Sequence, residues 1–171
     1  MGTLQVQLVV LVELRTGTAA GTKAATRAAF LKSDGTIVDI DGTSPVSFTS
    51  VSAGNYYVVV RHRNHLAIMS ATAIALSGSS TLYDFSASQT QAYGTNPMIA
   101  LSGGGFGMIA ADASRDGSIN ATDLNTYWMP QNGTPYDYQT KNADFNLDAT
   151  INATDLNVFW IPGNGKATQV P

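Results

Sequence analysis

The 171 residues contain no cysteine. That excludes disulfides, thiolate metal sites and cysteine nucleophiles. It does not imply cytoplasm, because exported bacterial domains often use calcium in place of disulfides. Charge is equally scarce. Asp, Glu, Lys and Arg make up 12% of the chain, Glu13 is the one glutamate, and the formal net charge is −3. So even a balance gives no reason to expect nucleic acid. The apolar run near the start is too short to span a bilayer, so no membrane insertion is expected. Met1 to Leu14 also lacks a basic leader and a small-residue cleavage site, which reads as a mature piece or an excised module. No G-x-S-x-G, P-loop, dinucleotide fingerprint or HExxH occurs, so no enzyme is expected.

Ser, Thr, Ala and Gly dominate instead, and 44% of residues are hydrophobic. That suffices for one ordinary domain and a small second one. A Thr-rich, Glu-poor surface suits a secreted β-protein at the bacterial cell surface. From Leu4 the chain reads LQVQLVVLVELR, with Leu4, Val6, Leu8, Val10, Val12 and Leu14 apolar at period two. That period predicts a strand. AAFLK, the Asp34-Gly35 turn and TIVDI predict a hairpin. PVSFTSV, YYVVVRHR, HLAIMSATAIAL and TLYDF predict further strands between turns. Together these predict a mainly β chain: an antiparallel Greek-key β-sandwich over residues 1–100. The connector 92–111 is poor in polar side chains, unlike a free linker, and is expected to pack between the two parts.

Residues 101–171 read differently. DASRDGSINATDLNTYW starts at Asp112, and DFNLDATINATDLNVFW starts 32 positions later at Asp144. Each places oxygen side chains at loop positions 1, 3, 5, 9 and 12. These are Asp112, Ser114, Asp116, Asn120 and Asp123, then Asp144, Asn146, Asp148, Asn152 and Asp155. Ser118 and Thr150 at position 7 would offer main-chain carbonyls, and Ile119 and Ile151 at position 8 could pair the loops. Ca²⁺ takes about six to eight oxygens, so the spacing suits one ion per loop. Six of the 12 acidic residues fall here, and three carboxylates in one loop repel one another without a cation. Two Ca²⁺ would move the net charge from −3 to +1 (−3 + 4). Trp128, Trp160, Tyr127 and Phe159 are expected to form a small shared core.

Both loops close with Asp where an EF-hand usually has Glu, and one helix follows each. This half-motif resembles the dockerin duplicated segment, over about residues 110–165. The resemblance implies a small α domain of two calcium loop–helix half-motifs and a cohesin as protein partner. Two features depart from it. The helices are expected to stop at Met129-Pro130 and Ile161-Pro162, and Ala149 stands where loop 1 has Gly117 at the sharp turn. Loop 2 is therefore expected to be the more strained. The run FTSVSAGNYYVVVRHRNHL resembles immunoglobulin-like modules of bacterial surface proteins. The whole arrangement is similar to the X-module–dockerin pairing of cellulosomal proteins.

The remaining candidates are weaker. His62 and His65, in RHRNH, are expected at an exposed strand end. Asp39 and Asp41 have a spacing seen in paired catalytic carboxylates but flank a turn. Asn132 lies in an N-x-T sequon, and Ser/Thr glycan is compatible with the composition. Leu4–Leu14 could complete the chain's own sheet, or a neighbouring copy's in a head-to-tail homopolymer. The expectation is a non-catalytic, calcium-rigidified assembly module, in a surface fibre or on a cohesin scaffold.

Overall fold

The computed structural model describes residues 8–171. Strand β1 (Leu8–Arg15) buries Val10, Val12 and Leu14 on one face and leaves Val9 and Leu11 exposed on the other. That is the pattern period two predicts. Leu4 to Gln7, the first part of the predicted strand, lie outside the described residues. The other strands are β2 (Lys23–Leu31), β3 (Ile37–Val38), β4 (Gly54–His62), β5 (Ile68–Met69) and β6 (Ile74–Leu76). They form one six-stranded sheet in the order β3-β2-β1-β4-β5, with β6 also on β4. Pairing is antiparallel throughout, with Val12 opposite both Arg27 and Val60.

Three consecutive strands with the fourth returning beside the first make a Greek key. β1 is thus bonded along both sides, at the middle of its own sheet and not at an edge. Val10, Val12, Ala29, Val60 and Ile68 line the core face. Val46, Phe48, Phe85, Phe106 and Met108 cover it from beyond the sheet. Part of that cover is the hairpin β7 (Ile99–Ala100) and β8 (Phe106–Gly107). Its turn needs the positive φ of Gly104 and Gly105, at 93° and 76°. The molecule is mainly β with antiparallel sheets, and its second layer is thin.

Two predicted strands are corrected. PVSF carries no ladder, although Val46 and Phe48 still pack inward. TLYDF ends in a 3₁₀ turn at Phe85–Ala87, because the Asp84 carboxylate accepts the Ser86 N–H and caps it.

The C-terminal part holds two short helices. In α1 a π-wound segment, Asp123–Trp128, runs into an α-turn at Met129–Gln131; in α2, Asp155–Trp160 runs into Ile161–Gly163. Both continue through the proline expected to stop them. Met129 N–H reaches back five residues to the Leu124 carbonyl, and Ile161 reaches Leu156 likewise. The wider turn carries off the carbonyl that a proline ring would strike in a regular α-helix. Ile119, Trp128, Phe145 and Ile151 are buried in a second core, with Tyr127, Phe159 and Trp160 packed against it. Among the described residues no helix is long and apolar enough to cross a membrane.

The connector is a structural seam. Leu66 N–H donates to the Ile109 carbonyl, Ala111 N–H donates to Asn64, and Ile109 to Ala111 are buried.

Candidate metal centre

Each loop is wound around its first and last aspartates. Asp123 is fully buried; one oxygen accepts the Ser114 N–H at 2.9 Å and the other the Asn120 N–H at 2.8 Å. Asp155, equally buried, accepts Phe145 N–H at 2.6 Å and Asn152 N–H at 2.8 Å. Asp112 and Asp144 each accept the position-6 amide, from Gly117 at 3.1 Å and Ala149 at 3.0 Å. Asp116 and Asp148 each accept the position-7 amide, from Ser118 and Thr150, at 2.8 Å. Position 3 differs between the loops. Ser114 donates its hydroxyl to Asp112, whereas Asn146 donates its amide to Asp148 at 2.8 Å.

Burial drives the Asp112 carboxyl above its usual range, and the nearby Asp123 and Asp116 charges push it the same way. Burial and Asp155 act alike on Asp144. Ion pairs join Arg15 and Arg61 to Glu13, Arg27 to Asp39 and Lys32 to Asp34. Among the described residues none reaches a loop aspartate. Asp112, Asp123, Asp144 and Asp155 are thus carboxylates at most 4% exposed with no side-chain cation beside them. A buried charge in that state is costly unless it meets a cation or a metal. The donor set is all oxygen, which suits a hard ion. Among the described residues no cluster of three or more His, Cys, Asp or Glu side chains stands out by itself as a metal site. Any coordination shell here must therefore draw on Ser, Asn and main-chain oxygens as well.

Asn120 and Asn152 do something else as well. Their side-chain oxygens accept the Thr122 and Thr154 amides at 2.7 Å, at the start of each helix. The position-9 side chain thus also acts as a cap for the turn that opens each helix. Ile119 and Ile151, the residues that could pair the loops, share one buried core, and their carbonyls bond elsewhere. Ile119 accepts from Gly165 at 2.8 Å, and Ile151 from Gly133 at 3.0 Å. Each loop is closed by the glycine that follows the other half's helix. The tryptophans lock the same exchange, with Trp128 Nε1 donating to Asn152 O and Trp160 Nε1 to Asn120 O, both at 3.2 Å. The two half-motifs hold each other's loops.

The left-handed region is used at positions 4 and 6 of both loops: Arg115 (φ 65°) and Gly117 (φ 84°), Leu147 (φ 64°) and Ala149 (φ 66°). A left-handed non-glycine residue costs about 1–2 kcal/mol, so loop 2 carries the greater strain, at Ala149. Ala149→Gly is expected to stabilise the folded protein by about 1 kcal/mol in urea unfolding, less any unfolded-state entropy that glycine adds. The reverse change, Gly117→Ala, should destabilise it. There the new Cβ would sit 3.0 Å from Thr168 Cγ2. Equal effects at the two positions would remove the strain argument.

The sequence missed the segment 63–65 altogether. Expected at an exposed strand end, it is wedged between the sheet and the loops. Arg63 donates to the carbonyls of Tyr138 and Lys141 and to Asn142 Oδ1, and lies over the Tyr138 ring at 4.1 Å. Asn64 is 1% exposed. His62 is buried and His65 half-buried, with their Nδ1 atoms 2.9 Å apart. Burial lowers the His62 pKa to about 4 and takes His65 well below the imidazole range. The paired carboxylates near the second turn are structural. Asp39 pairs with Arg27 at 2.7 Å, and Asp41 caps the turn through the Thr43 and Ser44 amides.

No family model and no curated protein matches the chain. Two solved structures are similar in fold, both crystal structures of a type II cohesin–X-dockerin complex from Acetivibrio cellulolyticus. One is a C-terminal interface mutant, the other an N-terminal interface mutant. Each match is 20% identical and covers 93% of this chain and 82% of that chain, with TM-scores of 0.53 and 0.51. The likeness is one of fold, and it extends over nearly all of this molecule.

Proposed function

We propose that this protein is a non-catalytic, extracellular assembly module. Its C-terminal half-motifs each take one Ca²⁺, and its partner is a protein of the cohesin–dockerin kind. The observation that carries the reading is the set of four buried aspartates, repeated in register in two loops, that no side-chain cation reaches among the described residues. The immunoglobulin-like sheet then serves as a rigid platform for a small domain that calcium sets.

A partner surface has its own support. Met129 and Ile161 occupy equivalent positions on α1 and α2 and are 58% and 55% exposed, with Val158 at 57% on α2. Exposed apolar side chains repeated on two equivalent helices suit protein contact. The fibre reading has less behind it, since β1 would have to leave a place where it is bonded on both sides. Glycan at Asn132, which is exposed, is compatible with either.

Binding to a panel of cohesin domains by calorimetry, in calcium and in EDTA, tests the proposal. Capture in calcium alone is expected. Ile161→Asp should weaken it at least tenfold, about 1.4 kcal/mol, and leave melting unchanged. A calcium-loaded monomer that takes no cohesin would sink the partner assignment. Ordered fibres in electron micrographs would instead favour the homopolymer.

A further inference from the structure

Asn64 lies just beyond β4, outside both loops, yet it holds the first residue of each. Its main-chain carbonyl accepts the Ala111 and Asp112 N–H groups at 2.9 and 3.1 Å. Its side-chain nitrogen donates to the carbonyls of Asn142 and Asp144 at 2.8 and 2.7 Å. The side-chain oxygen lies 2.8 Å from His65 Nδ1. An amide oxygen only accepts, so that ring nitrogen carries the proton. His65 then donates toward His62 Nδ1 as well, and His62 keeps its proton on Nε2, buried and without a partner among the described residues. Both side-chain hydrogens and both oxygens of Asn64 are used, and two carbonyls in front of its nitrogen fix which way the amide faces. A second thread runs beside it, from Asn142 Nδ2 to the Ala113 carbonyl at 3.3 Å.

We infer that Asn64 is a positioning residue that couples the two calcium loops to each other and to the sheet. The inference rests on the calcium reading above. Asp112 and Asp144 open the two loops, and one buried residue bonds the main chain of both. Whatever orders Asp144 therefore fixes the Asn64 side chain, and with it the carbonyl that holds Ala111 and Asp112. Filling one loop removes part of the ordering cost of filling the other, which is positive cooperativity without a change of fold. The coupling is reciprocal, since binding free energies are linked. Arg63 stiffens the same junction, so the ordering also reaches β4.

Calorimetric Ca²⁺ titration of the full chain tests this, with Asp116→Ala and Asp148→Ala each disabling one loop. In the wild-type background, an intact partner loop should raise the affinity of the other about 5- to 150-fold. In Asn64→Ala that factor should fall toward one. A merely structural role would weaken both loops and leave the factor unchanged, which overturns the inference. Should Asn64→Ala fail to fold, amide exchange on Asp116→Ala still decides. The Ala111 and Asp112 amides should gain protection as loop 2 alone is loaded, and no gain overturns the coupling. Two ions that bind independently would overturn the coupling and spare the calcium reading. No ion at either loop would overturn both.

Discussion

Chelation is expected to unfold the C-terminal third of the calcium-loaded protein and leave the sheet standing. At a thousandfold excess over its Kd, each ion stabilises the folded state by about 4 kcal/mol. Two ions give roughly 8 kcal/mol. For a chain of this size 1 kcal/mol moves Tm by roughly 2–4 °C, so EDTA should lower the first transition by roughly 15 °C or more. Asp155→Ala separates this from ordinary turn chemistry. As a turn or cap residue alone, Asp155 would be worth about 1 kcal/mol. As the closing ligand it also fixes the Phe145 and Asn152 amides, and its loss should remove one ion in native mass spectrometry and cost at least about 3 kcal/mol. Melting that is unchanged in EDTA, or an Asp155→Ala protein that still carries two ions, would contradict calcium binding.

What makes the loops costly without an ion is also what made them legible. Each aspartate sits at a spacing that short-range geometry dictates, so a repeat of the pattern carries its own evidence. β1 was legible for the same reason: period two along Val10, Val12 and Leu14 needs no knowledge of the rest of the chain. Its central place in the sheet was not, because pairing on the second side comes from β4, whose Val60 meets Val12 across a long connection. Asn64 lies at the far limit. Nothing around it in RHRNH signals burial, and its partners Asn142 and Asp144 are about 80 positions away. A polar residue satisfied wholly by distant main chain leaves no periodicity to read. The helices through Pro130 and Pro162 fall between these cases. Proline disfavours a regular α-helix in the turn before it, and the chain winds that turn as π. TLYDF was lost to one side chain, since Asp84 offers the backbone a local alternative to a ladder.

The other large effect is expected at Arg15, on the opposite face of β1. Its side chain is 1% exposed; Nε donates to Glu13 Oε1 at 2.5 Å, and Nη1 to the carbonyls of Thr18 and Pro171 at 2.9 and 2.7 Å. Burial pushes the Glu13 carboxyl up, but the Arg15 hydrogen bond and charge, helped by Arg61, leave it below its usual range. Arg15→Ala would strand that carboxylate beside Arg61 alone, at 3.4 Å. Removing one member of a buried pair costs about 3–5 kcal/mol, so the variant should melt roughly 10 °C lower. Replacing both partners, Glu13→Leu with Arg15→Met, should recover most of that loss, because burying neither charge avoids the desolvation penalty. It should not recover the clasp. The segment it holds crosses back to loop 1, where Thr168 N–H donates to Gly117 O and Ile119 N–H to Lys166 O, both at 2.8 Å. Thr168 also anchors its hydroxyl on the Ala67 carbonyl at 2.7 Å. Amide exchange at Thr168 and Ile119 should therefore stay faster in the double variant even as its melting returns. Wild-type protection at both amides would mean that Arg15 stabilises the sheet alone and that the C-terminal segment is held without it.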